Sequence, residues 1–338
     1  MKEKILITGI AGLFGSNISR YFLKKNYNVV GIDNLFGGYK ENIPENAIFY
    51  NEDLKNSKNI DNIIKKEKPD YILHFAAYAA EGLSHYIRNY NYQNNLISTV
   101  NIINAAINNN TNKVIFTSSM AVYGDANEPP FTENMKPLPV DPYGIAKYAS
   151  ELDFNNAQKH FGLNYSIIRP HNVIGKYQNI WDKYRNVIGI WIRQMLEKKP
   201  LTVYGDGLQK RAFSDILYYS YPIEKLLYEH SGEIFNLGSD NYLTILDALN
   251  IFRKCAKKYE FETNINFLEE RNEVKNAYCD HTKAKTQLNF NDNTDLEKTI
   301  LEMIDWSIKQ PKRQTKIMDY EIEKNLYSYW KNNQLENK

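Results

Sequence analysis

The chain opens with a buried-strand pattern, a glycine-rich turn and a helical pattern, and this order constrains its fold more than any other feature. Ile5-Leu6-Ile7 is a short apolar run, and a helical pattern covers residues 16–25. Between them stand Gly9, Gly12 and Gly15. Glycines at such a turn let the backbone bend tightly and approach a pyrophosphate, and they let the helix pack close to its sheet.

An acidic residue ends the second predicted strand. Val29-Val30-Gly31-Ile32 is apolar, and Asp33 follows it directly. A carboxylate at this place can bind both ribose hydroxyls of NAD and would repel the 2′-phosphate of NADP. The N-terminal unit therefore predicts a dinucleotide site with NAD as the cofactor.

Strand and helix patterns then alternate up to Pro170, which predicts an α/β fold of the Rossmann type with a doubly wound parallel sheet. The second half is less regular and predicts a smaller, mixed α/β region that binds substrate. We expect three parts: a dinucleotide-binding domain at 1–169 onto which segments from about 208–245 pack back, a substrate-binding region at 170–310, and an extra helical tail at 311–338.

One tyrosine and one lysine stand four residues apart at the start of a predicted helix. Pro142 suits the first helical position, so Tyr143 and Lys147 lie on the same helix face. An ammonium beside a phenol favours the phenolate and lowers a pKa that is normally about 10. The pair predicts a general base, and Ser119, at a strand end, is able to hydrogen-bond the same substrate oxygen.

Composition excludes several classes of function. The net charge of +2 gives no electrostatic reason to expect nucleic acid or membrane binding. Cys255 and Cys279 form neither a disulfide framework nor a metal-ligand pattern, so we expect no metal and a reducing, cytoplasmic location. The N-terminus lacks a signal-peptide pattern, and no apolar run approaches the roughly 18 residues of a membrane span.

Seven motifs together resemble the extended short-chain dehydrogenase/reductases, and among them the nucleotide-sugar epimerase/dehydratase family. The resemblance covers about residues 3–310. Its motifs are Thr8-Gly-x-x-Gly-x-x-Gly15, Asp33-Asn34-Leu35, Asp53-Leu54, His74-Phe75-Ala76-Ala77, Asn95, Ser118-Ser119-x-x-Val122-Tyr123-Gly124 and Tyr143-x-x-x-Lys147.

The resemblance implies tightly held NAD, with Tyr143 as the base, Lys147 on the nicotinamide ribose and Ser119 on the reacting hydroxyl. It also implies a homodimer formed by the helices at 92–108 and 143–160. Asp53 is able to reach the adenine amino group or to remain a solvated loop acid. The residues expected to contact NAD are Gly9, Gly12, Leu13, Phe14, Gly15, Asp33, Asn34, Asp53, Leu54, Phe75, Ala76, Ala77, Asn95, Thr117, Tyr143, Lys147 and Pro170.

The implied substrate is a nucleotide-diphosphate sugar, with UDP favoured over other nucleotides. Asn172, Arg211 and Arg271 match diphosphate ligands of the family, and Tyr204 matches a residue that packs against the nucleobase. Either arginine could instead form a surface ion pair, and Glu81 could be solvated rather than contact the sugar. The expected substrate contacts are Glu81, Ser119, Ala121, Tyr143, Asn172, Asn186, Val187, Val203, Tyr204, Arg211 and Arg271.

Two apolar residues narrow the reaction that the resemblance implies. Dehydratases, GDP-mannose-type C3/C5 epimerases and sugar-acid decarboxylases of this family carry acids or a cysteine at the positions of Met120 and Ala121. Without those proton carriers, the expected reaction is C4 epimerisation through a 4-keto sugar, as in UDP-hexose 4-epimerases. The alternatives are a C4 dehydrogenase that releases the keto sugar and a regulator that retains NAD without catalysis.

The end of the chain carries an apolar pattern of helical spacing. Met318, Ile322, Leu326, Tyr329 and Trp330 follow this spacing and predict an amphipathic helix over 317–332. This helix either packs on its own subunit or contributes to a dimer contact.

Overall fold

We analysed a computed structural model that describes residues 2–271, 273–314 and 318–335. In this part of the chain no helix is both long enough and apolar enough to cross a membrane. The cytoplasmic location stays a prediction.

Strands and helices alternate through the first half. The strands are β1 (Lys4–Thr8), β2 (Asn28–Asp33), β3 (Ile48–Asn51), β4 (Tyr71–His74), β5 (Lys113–Thr117), β6 (Tyr165–Pro170), β7 (Val173–Ile174), β8 (Leu201–Tyr204), β9 (Lys210–Ala212), β10 (Ser214–Asp215), β11 (Glu233–Leu237), β12 (Tyr242–Thr244), β13 (Ile265–Leu268) and β14 (Asn276–Ala277). The helices are α1 (Leu13–Lys24), α2 (Ser57–Glu67), α3 (Glu81–Ser84), α4 (Arg88–Tyr92), α5 (Ser98–Asn108), α6 (Pro142–Phe161), α7 (Val187–Leu196), α8 (Ser220–Tyr228), α9 (Ile245–Lys257), α10 (Thr282–Leu288), α11 (Leu296–Ile308) and α12 (Ser328–Leu335).

A seven-stranded sheet of order β11-β6-β5-β4-β1-β2-β3 forms the centre of the molecule. All six neighbouring pairs are parallel. Apolar side chains cover both faces, for example Ile18 and Phe22 in one core cluster and Ile60 and Phe154 in the other. The predicted doubly wound parallel sheet is therefore confirmed, and ligands of such sheets bind beyond the carboxyl ends of the strands where the order reverses, here between β1 and β4.

The second half adds one strand to this sheet and builds a smaller region beside it. Strand β11 pairs with β6, as expected for the segment near 208–245, although the domain boundaries themselves stay a prediction. Strands β12, β9 and β14 form a small mixed sheet, and β8 pairs with β13. Helices α7, α9 and α11 enclose a separate core that contains Trp191, Phe252 and Ile300.

The predicted helix over 317–332 is wrong for most of its length. Residues 318–327 form turns and extended chain, and helix α12 begins only at Ser328, while residue 317 lies outside the described part. The backbone N–H groups of Glu321 and Ile322 donate to the carbonyl oxygen of Tyr86, at 2.8 and 3.2 Å. These bonds to a distant part of the chain replace those of a helical turn, so tertiary contact overrides the apolar periodicity.

Candidate active site

One large cavity of about 460 Å³ opens at the carboxyl edge of the sheet and continues between the sheet and the smaller region. All of the predicted site residues line it except Gly15 and Asn95. The fold thus brings together residues that stand far apart in the sequence, from Gly9 to Arg271.

Gly15 and Asn95 lie behind the cavity wall. A Cβ atom on Gly15 would stand 2.2 Å from the carbonyl oxygen of Gly9, so this position needs glycine for close packing of helix and turn. The Asn95 amide accepts from the backbone N–H of Tyr78 and donates to its carbonyl, at 2.8 and 3.1 Å. Each of the two residues supports a wall segment from behind, and their expected contacts with NAD stay a prediction.

The glycine turn is shaped to approach a phosphate group. Gly9 has a φ of +71°, and a Cβ atom there would lie 2.9 Å from the backbone of Ala76. Helix α1 begins after Gly12 without any side-chain cap. The first backbone N–H groups of the helix, at Leu13 and Phe14, lack partners within their own helix, and such groups bind anions.

Asp33 is held in place by backbone donors at the end of β2. Its two carboxylate oxygens accept from the N–H groups of Ala11 and Leu35, at 3.0 and 2.7 Å. Burial raises the pKa of Asp33, while these two hydrogen bonds act in the opposite direction. Asn34 donates to Asp53 at 3.2 Å on the same wall. Together with the glycine turn, this fixed acid fits the ribose and pyrophosphate of a dinucleotide.

The predicted catalytic pair begins helix α6. The Asp141 side chain caps the helix by accepting from the N–H of Gly144 at 2.8 Å, and Pro142 occupies the first turn as expected. Tyr143 and Lys147 both line the cavity together with Ser119, whose hydroxyl interacts with that of Tyr143. The Lys147 ammonium donates to the carbonyl oxygen of Thr117 at 2.7 Å and lies 5.8 Å from the centre of the Tyr143 ring.

The expected lowering of the Tyr143 pKa is wrong for the protein chain by itself. Burial raises the pKa of Tyr143, Glu81 adds to this rise, and the bond to Ser119 opposes it. Burial also lowers the pKa of Lys147 to about 7. A lysine that is only partly charged at neutral pH stabilises a phenolate weakly, so helical spacing alone does not activate the tyrosine.

Several buried donors on the cavity wall have no hydrogen-bond partner among the described residues. They are Thr117 Oγ1, Asn172 Nδ2, and the Nε and Nη2 atoms of Arg271. An unpaired buried donor costs roughly 1–3 kcal/mol, and more when it is charged. Because all three residues line the cavity, their free donors suit the acceptor oxygens of a ligand.

The two arginines expected at the diphosphate are held differently. Arg211 lies 3.5 Å from Glu273 and donates to the carbonyl oxygens of Lys210 and Lys275. Arg271 stacks its guanidinium over the ring of Tyr204 at 3.4 Å. Arg271 therefore covers one face of the Tyr204 ring, which was expected to pack against a nucleobase.

Two further charged groups, Arg185 and Glu81, line the cavity. Arg185, which the sequence reasoning missed, donates to Asp182 at 2.9 Å and lies over the Tyr78 ring at 4.9 Å. Its position directly before Asn186, a predicted substrate contact, is the sequence feature that could have indicated it. Glu81 is exposed to the cavity, where desolvation by the surrounding walls and the charge of Asp141 raise its pKa to about 7.

Comparison with known proteins identifies the family to which this chain belongs. The model of the NAD dependent epimerase/dehydratase family matches residues 5–238. A provisionally named UDP-glucose 4-epimerase of Methanocaldococcus jannaschii is 30% identical over 89% of this chain and 97% of its own. The UDP-N-acetylglucosamine 4-epimerase of Methanobrevibacter ruminantium M1, solved with UDP-N-acetylmuramic acid, is 30% identical, with a TM-score of 0.82 over 91% of this chain and 99% of its own. The UDP-glucuronic acid 4-epimerase of Bacillus cereus, solved with UDP-glucuronic acid and NAD, is 28% identical, with a TM-score of 0.80 over 90% and 98%.

This protein belongs to the NAD-dependent epimerase/dehydratase family of extended short-chain dehydrogenases/reductases, as its motifs predicted. It is an enzyme of that family, and the predicted cofactor, NAD, is confirmed by the match. The glycine turn, Asp33 and the Thr117 hydroxyl are the features of this structure that fit the cofactor.

Proposed function

We propose that this enzyme epimerises a nucleotide-diphosphate sugar at C4 through a 4-keto intermediate. The observation that carries the proposal is the wall beside Tyr143 and Ser119, where Met120 and Ala121 line the cavity. Neither side chain can donate or accept a proton. Met120 and Ala121 therefore supply no acid or base for a proton at a neighbouring sugar carbon, and this favours reduction at C4 as the next step of a keto sugar formed beside them.

In the proposed reaction, Tyr143, Ser119 and Lys147 have different roles at the reacting oxygen. Tyr143 accepts the proton of the C4 hydroxyl and later returns one to the keto oxygen, while the Ser119 hydroxyl holds that oxygen. The chemistry supplied by bound NAD is reversible acceptance of hydride, and its positive charge favours the phenolate that the chain alone disfavours. Lys147, fixed on the Thr117 carbonyl, stands beside the tyrosine to contact the cofactor ribose.

The unpaired donors define the proposed diphosphate end. Asn172 and Arg271 present free N–H groups, and Arg211 adds a second guanidinium, a group whose geometry suits phosphate oxygens. UDP is favoured because the relatives described above act on UDP-sugars. Their sugars differ, so glucose, N-acetylglucosamine and glucuronate are all candidates for this chain.

We also propose a homodimer formed by the helical segments 88–108 and 142–161. Exposed apolar side chains lie on both segments: Ile97 is 39% exposed, Ile145 40% and Leu152 53%. Apolar residues on an open helix face are typical of a subunit contact. Light scattering is expected to give twice the chain mass, and Leu152→Glu to give a monomer.

An NMR time course tests the reaction. Purified protein is incubated, without added cofactor, with UDP-glucose, UDP-N-acetylglucosamine, UDP-glucuronate or GDP-mannose. We expect a C4 epimer of at least one UDP-sugar. A product altered at C3, C5 or C6 refutes the proposal, and a 4-keto product formed only with a 2-keto acid as hydride acceptor identifies the C4 dehydrogenase instead.

A further inference from the structure

The C-terminal segment packs against the walls of the substrate cavity. We call residues 318–335 the C-terminal clasp. Its side chains Met318, Leu326 and Trp330 are buried, and Trp330 is only 1% exposed. They share one core cluster with residues of the 78–87 stretch and with Tyr184, apart from the clusters on the two faces of the sheet.

The clasp binds the first wall, residues 78–92, through its backbone and one carboxylate. Glu321 accepts from the N–H groups of Asn89 and Tyr90, at 2.7 and 2.8 Å, at the start of α4. The Tyr86 hydroxyl donates to the carbonyl oxygen of Asn325 at 2.7 Å. A carboxylate at a helix N-terminus is stabilising, so these contacts hold the stretch that carries Glu81 into the cavity.

The second wall is the loop before α7. The hydroxyl groups of Tyr184 and Tyr320 are 2.8 Å apart, and the rings of Tyr184 and Trp330 meet edge to face with centres 5.2 Å apart. Tyr184 is followed directly by Arg185 and Asn186, which line the cavity. The clasp thereby braces two polar residues of the site.

The third wall contains Arg271. Its guanidinium lies 3.4 Å from the centre of the Tyr204 ring and 5.0 Å from the centre of the Trp330 ring. Aromatic faces attract a guanidinium electrostatically and fix its plane. Two free donors of this arginine remain for a ligand. The position of those donors therefore depends on a tryptophan near the far end of the chain.

We propose that the clasp is part of the nucleotide-sugar site and that Trp330 is a positioning residue that sets the affinity for the nucleotide diphosphate through Arg271 and Tyr184. The identity of this ligand rests on the proposed function. Trp330 is absent from the cavity lining, so it acts through these two neighbours and leaves the chemical step to Tyr143. The clasp also lies beyond residue 238, where the family match ends.

The test compares Trp330→Ala and Trp330→Phe with Trp306→Ala in the intact protein. Trp306 is a matched control because its ring contacts Tyr177, 5.7 Å between centres, and lies outside the clasp. Calorimetric titration with UDP and kinetics with the converted UDP-sugar are the readouts. For Trp330→Ala we expect the Kd of UDP and the KM to rise about tenfold, the effect of losing one aromatic contact to a cation, with kcat nearly unchanged. Trp330→Phe should restore most of the affinity.

Three results would overturn the proposal: unchanged UDP affinity in Trp330→Ala, a loss in kcat alone, or an equal loss in Trp306→Ala. Amide hydrogen exchange gives a readout that needs no ligand. Trp330→Ala should speed exchange in residues 86–92 and 184–187 and leave β1 and β4 unchanged. If the wild-type protein fails to bind UDP, the proposed substrate is wrong, and unchanged exchange in both segments would then separately overturn the role of the clasp.

Discussion

The two sides of the cavity are built in different ways. On the cofactor side, Gly9, Asp33, Ala76, Ser119 and Tyr143 each lie within a few residues of a buried strand or at a helix start. On the substrate side, most groups come from separate loops of the second half, and the C-terminal clasp packs behind some of them. The first side follows from local motifs, whereas the second depends on contacts between distant segments.

The means of holding a charged group also differs between the two sides. Asp33 and Lys147 are fixed by backbone partners of the sheet edge, at 2.7–3.0 Å. Arg271 is fixed by stacking on rings from two other segments and keeps donors free. We therefore expect cofactor binding to depend on the sheet edge itself, and substrate affinity to be sensitive to changes at a distance from the reacting groups.

The largest effect is expected on the cofactor side, from Tyr143→Phe. Loss of the phenolic hydroxyl removes the proposed base, so kcat should fall about 10³-fold, within the range for a lost general acid–base group. NAD content, measured after the protein is denatured, should stay that of the wild type. Tyr148→Phe, on the same helix and outside the cavity lining, is the matched control. Residual turnover within tenfold of the wild type would assign the base to another group.

A pair of glycine substitutions compares the rigidity of the two sides. A Cβ on Gly15 meets backbone atoms at 2.2 and 2.4 Å, whereas a Cβ on Gly82 comes no closer than 3.9 Å to its nearest neighbour, the Trp330 ring. Gly15→Ala should lower the free energy of unfolding by about 3 kcal/mol and reduce bound NAD, because backbone cannot move aside cheaply. Gly82→Ala should change it by less than about 0.5 kcal/mol. Denaturant unfolding measures the free energy of unfolding of both variants. Equal losses would contradict the expected difference between the two sides of the cavity.

Substitutions of Arg271 test whether its stacking on Tyr204, rather than its charge, sets the affinity for the nucleotide sugar. Arg271→Lys keeps a positive charge but loses the plane that lies on Tyr204, so it should raise the KM for the nucleotide sugar about tenfold, nearly as much as Arg271→Ala. Arg313 stacks on Tyr39 at 3.8 Å outside this cavity, and Arg313→Lys should leave the KM unchanged. Full KM rescue by lysine would show that charge alone suffices.

The smallest expected effect concerns Glu81 and pH. Desolvation by the cavity walls and the charge of Asp141 raise the pKa of Glu81 to about 7, so its carboxyl group gains charge as the pH rises through this value. A charged Glu81 should repel a sugar carboxylate. The ratio of kcat/KM for UDP-glucuronate to that for UDP-glucose should therefore fall about fivefold between about pH 6 and pH 8, for about 1 kcal/mol of repulsion. Glu81→Gln should flatten this dependence, and an unchanged slope would place the carboxylate away from the sugar.

Much of the cofactor side could be predicted because its signals are short. The apolar run before Gly9, the acid that ends β2 and the spacing of Tyr143 and Lys147 each involve about ten residues or fewer, and the parallel sheet brings the strand ends to one edge. The contact of Asn95 with NAD stays a prediction, because a helical asparagine is compatible both with that contact and with the hydrogen bonds to Tyr78 that the structure shows. Arg185 was not predicted as a site residue because its contacts with Asp182 and Tyr78 form only in the folded chain.

The sequence by itself determined the parallel α/β sheet, the family, NAD as cofactor and the residues that reach the sheet edge, because local periodicity and turn chemistry specify them. Only the tertiary structure decided the directions in which the pKa values of Tyr143 and Lys147 shift, since burial is the largest cause of both shifts. It also decided the conformation of the C-terminal clasp, where hydrogen bonds to Tyr86 and aromatic packing around Trp330 replace the helix that the apolar spacing favoured. Desolvation and contacts between distant segments depend on what surrounds a residue, and spacing along the chain does not record those surroundings.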